Sequence, residues 1–154
     1  MMELTVLSAA FVMNAAIPTN YTCSGRDISP PLSWSAPPAG TQSIAILCDD
    51  PDAPVGDWVH WVIFNLPANT NSLPEAVPAK SQLPNGATQG MNDFGRGGYG
   101  GPCPPSGKPH RYFFKVFALD TKLSLTSKAS KKELLRAIEG HVVAKGELVG
   151  TFKR

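Results

Sequence analysis

The chain has 154 residues, enough for one domain with a genuine core. A net charge of only +2, with no dense basic stripe, argues against a nucleic-acid-binding role, and 14 glycines with 15 prolines exclude an architecture of long helices. Hydrophobic residues make up 42% and charged residues only 17%, a composition that leans towards strands joined by ordered loops.

In chain order, residues 4–7 are a short strand candidate, and the apolar stretch 7–17 reads as early strand and loop. It is not read as a signal peptide or membrane span, because Glu3 stands before it without a basic segment and Asn14 and Pro18 interrupt it. A cytoplasmic location is the resulting expectation. Residues 21–35 form a loop punctuated by Gly25, Pro30 and Pro31. Residues 43–47 are a continuous apolar run of strand length, and 50–56 a turn-rich connector. Residues 57–66, rich in Val, Ile, Trp and Phe, predict a strong strand whose alternation puts Trp58, His60, Val62 and Phe64 on one face.

Pro67, Pro74, Pro78 and Pro84 make 67–85 mostly loop, and 92–108 is a second irregular stretch. Residues 111–119 predict the second strong strand. One helix is signalled: Ser130 and Glu133 spell a capping box, Leu134, Leu135 and Ile138 supply an apolar stripe, and Gly140 closes it. Lys128, Lys131 and Lys132 at its start read as a solvated face. Residues 141–152 predict a final strand pair around Gly146. No repeat or linker divides the chain, so 1–154 is one domain, a mainly β, two-sheet antiparallel sandwich with one or a few short peripheral helices.

Cys23, Cys48 and Cys103 are an odd count without CxxC spacing, which speaks against zinc. Cys48 ends an apolar run and reads as a small buried hydrophobe. A bridge between Cys23 and Cys103 is left open, and a reducing compartment would oppose it. Gly95, Gly97 and Gly100 spell GxGxxG, but Pro102, Pro104 and Pro105 forbid the helix that a nucleotide fingerprint needs. Neither GxSxG, HExxH nor a P-loop occurs.

Chemistry is concentrated in two segments. Asp50-Pro51-Asp52-Ala53-Pro54 holds two carboxylates on a backbone stiffened by proline. His60 follows on a strand face shared with Trp58. Sixty residues after Asp50, His110 and Tyr112 stand two apart at a strand start and project to one side, with Arg111 to the other. A carboxyl group, two imidazoles and a phenol can together bind a phosphate or carboxylate, with backbone N–H groups of the glycine-rich loop completing an anion nest. Protonating His60 or His110 would add a donor and a charge.

These segments resemble the phosphatidylethanolamine-binding proteins, in particular their bacterial Raf-kinase-inhibitor-like branch. The likeness is carried by Asp50-Pro51-Asp52-Ala53-Pro54, Trp58, His60, Gly101-Pro102 and His110-Arg111-Tyr112. Tyr21-Thr22-Cys23, Ser29-Pro30-Pro31-Leu32-Ser33-Trp34 and Gly101-Pro102-Cys103-Pro104-Pro105 point to the bacterial branch. The resemblance implies a two-sheet sandwich and a small, stiff anion pocket lined by Asp50, His60, His110 and Tyr112, with Pro54, Trp58, Gly101 and Pro102 shaping its wall. Arg111 would turn away and pair with Asp52. The segment between Pro54 and Trp58 is shorter than in animal members, and no terminal helix follows residues 142–152, so kinase regulation is not carried over.

The leading expectation is therefore a non-catalytic binding protein for a small anion: phosphate, a phosphorylated head group or a carboxylate. No cofactor, metal, nucleic acid or membrane insertion is expected; the bacterial likeness admits a homodimer. The alternatives are a kinase or protease regulator acting by direct contact with an unidentified protein partner, and a hydrolase or metal-dependent enzyme built on Asp50, His60 and His110.

Overall fold

The computed structural model describes residues 2–154. Among these residues, nine strands and one α-helix follow in the order β1 (Met2–Glu3), β2 (Val6–Leu7), β3 (Leu32–Trp34), β4 (Ser43–Ala53), β5 (Gly56–Pro67), β6 (Ser72–Leu73), β7 (Thr88–Gln89), β8 (His110–Leu119), α1 (Lys131–Ile138) and β9 (Val142–Phe152), with a short 3-10 turn at Thr19–Tyr21. They form a large sheet ordered β1-β9-β8-β4-β5-β7 and a small one ordered β2-β3-β6. Every pairing within the sheets is antiparallel except β1 with β9.

The apolar run at the start of β4 belongs to a strand buried on both faces. Ile44, Ile46 and Cys48 face the core between the sheets, with Leu32 and Trp34 of β3. Ala45 and Leu47 face a second core, closed by Leu134 and Ile138 of α1. The capping box at Ser130 and Glu133 is formed, and Gly140 takes the left-handed conformation (φ +80°) just past the helix. Leu135, expected in the apolar stripe, is exposed instead: only Leu134 and Ile138 of that stripe reach the core.

Three further expectations are corrected. Residues 50–56 are not a free connector, since β4 runs on to Ala53 and a tight hairpin at Pro54 and Val55 returns through Gly56 (φ +98°). The alternation assumed along β5 is broken by bulges. Cys48 pairs with Trp61 and Asp49 with Val59, so the extra residue at His60 reverses which face the side chains take. Val62 and Phe64 thus enter the helix-side core while Trp58 and His60 turn to a pocket. Finally, 141–152 is one continuous strand rather than a pair around Gly146. That glycine pairs with Val116, and a Cβ there would lie 2.0 Å from the Leu4 carbonyl oxygen. Its missing side chain admits the N-terminal segment, not a turn.

Cys23 and Cys103 are joined by a disulfide across 80 residues of sequence, and Cys48 is free and buried. The bridge is at odds with an ordinary reducing cytoplasm; such bonds persist in oxidising compartments or in hyperthermophile cells. No described helix is long and apolar enough to cross a membrane.

Candidate functional site

The strands β8, β4 and β5 are neighbours in the large sheet, and the polar residues sit where these three meet at one end. Asp50 pairs across to Trp58 on β5, while Asp49 pairs across to Phe113 on β8. Sequence positions sixty apart thereby become lateral neighbours. Asp50, His60, His110 and Tyr112 line one pocket of about 220 Å³, walled by Pro54 and Trp58.

The side chains are held by specific contacts. His110 Nδ1 lies 2.7 Å from Asp50 Oδ2, and Asp50 Oδ1 accepts the Asp52 N–H at 2.7 Å. His60 Nδ1 lies 2.7 Å from the Gly100 carbonyl oxygen. A carbonyl only accepts, so this nitrogen carries the proton and Nε2 of the neutral ring is bare. Burial holds the His60 pKa below the ordinary imidazole value, against the opposing pull of the Gly100 carbonyl. The Tyr112 hydroxyl is buried with no partner at hydrogen-bond geometry among the described residues, and burial, then the charge of the nearby Asp50 carboxylate towards which it can turn, pushes its pKa well up. It is therefore a neutral phenol.

Arg111 points outward and clamps Asp52: Nε reaches Oδ2 and Nη2 reaches Oδ1, both at 2.9 Å, and the Arg111 N–H adds a third bond to Oδ2. That fork ties the β4–β5 hairpin to the start of β8. The hydrogen bond from Arg111 holds the Asp52 carboxyl below its usual range.

Gly101 and Pro102 are not among the residues that line the cavity itself, although the Gly101 backbone stands beside His60. Gly101 packs against the 19–27 loop, its N–H donating to Asp27 Oδ1 at 2.7 Å, and the Pro102 carbonyl accepts from the Cys23 N–H. The same loop reaches the pocket through Cys103, Pro104 and Pro105. The expected anion nest also loses donors. Gly100 N–H goes to the His60 carbonyl, Gly101 N–H to Asp27, and prolines have none.

Sequence reasoning missed Val55 at the hairpin tip and Phe94. Phe94 meets Trp58 and His60 edge-on, with ring centres 5.6 and 5.4 Å away. The available signal was a lone aromatic in a glycine-rich loop, turned by Asn92, whose Oδ1 accepts the Phe94 N–H. Among the described residues no three His, Cys, Asp or Glu side chains are grouped to hold a metal ion. Cys103, the sulfur in the pocket lining, is held in the disulfide rather than as a thiolate.

Residues 7–153 match the family model described as phosphatidylethanolamine-binding protein. The chain belongs to the phosphatidylethanolamine-binding protein family. A UPF0098 protein of Methanothermobacter thermautotrophicus is 53% identical, over 94% of this chain and 95% of the relative. Among solved structures, E. coli YbcL, described as a member of the mammalian family, is 38% identical with a TM-score of 0.92, over 99% of both chains. A family homologue from Chlamydia trachomatis is also 38% identical, with a TM-score of 0.90 over 100% of this chain and 99% of that one. The phosphatidylethanolamine-binding fold expected from the sequence is thus the fold of this chain.

Proposed function

We propose that this member of the family is a non-catalytic receptor for a small oxyanion, a phosphate, phosphorylated group or carboxylate, held by Asp50, His60, His110 and Tyr112. One observation carries the reading: a buried Tyr112 hydroxyl without a protein partner stands in a pocket whose other polar groups converge on the same space. A buried polar group of this kind costs roughly 1–3 kcal/mol unless something hydrogen-bonds to it, and a ligand oxygen does so. The wall of Pro54, Trp58, Pro104 and Pro105 is stiff and mostly apolar, which supports binding more than turnover. Among the described residues the pocket lining holds no Ser, Thr or free Cys to serve as a nucleophile beside the Asp50–His110 pair.

Titration calorimetry with inorganic phosphate, O-phosphoethanolamine and acetate tests this. Saturable binding to wild type, lost in Tyr112→Phe and His110→Ala, is the expected result; no heat with any of the three overturns it.

A second element of the reading concerns what carries the anion. Val55 is 76% exposed and Phe94 39% exposed, both at the pocket lining. An apolar rim over a polar floor favours an anionic group attached to a larger body, including a phosphorylated or acidic side chain of a partner protein. Capture of such a partner that free phosphate competes away would support this; capture indifferent to phosphate would count against it.

A further inference from the structure

The lining has many hydrogen-bond acceptors and few donors. Among the described residues no Lys or Arg lines the pocket. The nearby Arg111 is turned out and engaged by Asp52. Each Asp50 oxygen already accepts one hydrogen bond and retains a further lone pair. With Nδ1 of both rings committed, one to Gly100 and one to Asp50, only the Nε2 atoms remain for a guest, and that of the neutral His60 ring carries no proton. Tyr112 supplies the one hydroxyl donor without a protein partner in this lining. Resting on the anion-binding reading above, we propose that the pocket selects oxyanions that still carry a proton, such as hydrogen phosphate or a phosphate monoester monoanion, over fully ionised ones of the same shape, such as sulfate.

A fully ionised oxyanion is acceptor-only. In this pocket it would meet one hydroxyl donor, the lone pair of His60 Nε2 and the like charge of Asp50. A protonated oxyanion resolves the mismatch: its P–O–H donates to Asp50 or to a ring Nε2, and its remaining oxygens accept from Tyr112. Protonating a ring instead supplies the missing donor, so a fully ionised oxyanion such as sulfate binds with uptake of a proton, whereas hydrogen phosphate brings its own. The groups that face this exchange are Asp50 on β4, His60 on β5, and His110 and Tyr112 on β8. Behind them stand the buried Cys48 thiol, Asp27 near His60 and the outward Asp52–Arg111 pair. The environment of His60 favours its neutral form.

The test is calorimetry on the wild-type chain with phosphate and with sulfate, near pH ~6 and ~8 and in buffers of different ionisation enthalpy. Sulfate is expected to bind roughly tenfold or more weakly than phosphate, because buried acceptors go unpaired, and to weaken further as pH rises, with proton uptake from the buffer, whereas phosphate binds with little uptake. Asp50→Asn puts an amide donor where the carboxylate stands, so it should raise sulfate affinity relative to phosphate. Equal wild-type affinities without proton uptake overturn the selectivity and leave the anion-binding reading standing. Absence of binding by either ion overturns both. Should the variant not fold, the wild-type ratio decides.

Discussion

Asp49 and Asp50 are consecutive on β4, yet their carboxylates serve opposite faces of the large sheet. Asp50 turns to the pocket and pairs with His110, whereas Asp49, almost fully buried, is held by Lys131 at 2.7 Å and Lys115 at 3.2 Å. Lys131 also bonds Asp57, so it fastens the first turn of α1 to both β4 and β5. The lysine cluster that reads as a solvated face in sequence is thus partly structural.

Replacing Lys131 with Met should destabilise the fold by about 2 kcal/mol, below the usual cost of breaking a fully buried pair because Lys115 stays. Urea unfolding measures this, and phosphate affinity should be unchanged. Burial alone would lower the Lys131 pKa, but its hydrogen bonds to Asp49 and Asp57 outweigh that and raise it. A raised amine contributes stability that is complete below the unfolded value, ~10.4, and is lost as pH rises through the folded one. The gap between wild type and variant should therefore close in strong alkali.

Removing the His110 ring should cost about 2 kcal/mol, the scale of a hydrogen bond to a charged group, because Asp50 keeps its burial and loses its partner. His110→Ala should also abolish phosphate binding. Unfolding and calorimetry on the same sample separate the two effects.

His60 gives a pH signature. Its folded pKa lies below the unfolded value of ~6.5, so the unfolded chain takes the proton first as pH falls. Thermal midpoints should be level above that value and decline as pH drops through the folded pKa. His60→Gln should flatten this segment of the curve; an unchanged slope would assign the effect to other groups.

The Cys23–Cys103 bridge closes a long loop and ends in the pocket wall. Chain entropy puts its stabilisation at about 4 kcal/mol for a separation of this length. The Cys23→Ser, Cys103→Ser double variant should show that loss in urea. Pocket residues should remain in register, because Tyr99 Oη to Tyr21 O and Gly101 N to Asp27 still dock the two loops. Retained, weakened phosphate binding is the expected readout.

Much of this molecule was legible from local pattern. The capping box, the strong strands around residues 57–66 and 111–119, and the outward Arg111 all follow from rules that span a few residues. Where one of those rules failed, a distant contact had intervened. Gly146 reads as a turn until Leu4 is laid across it. Leu135 sits at core spacing, but a two-turn helix packs through Leu134 and Ile138. Val55 and Phe94 have no sequence pattern that marks them as pocket residues, since only the hairpin tip and the 92–101 loop meeting in space bring them there.

By itself the sequence determined the β-rich class, the helix and the chemical types available to a site, because periodicity, capping and side-chain chemistry are local properties. The tertiary structure alone decided which face each β5 side chain takes, which loop residues close the wall and which hydrogen-bonding groups remain free. Those depend on bulge positions and strand order, where one inserted residue reverses a whole face and a carbonyl forty residues away consumes a donor.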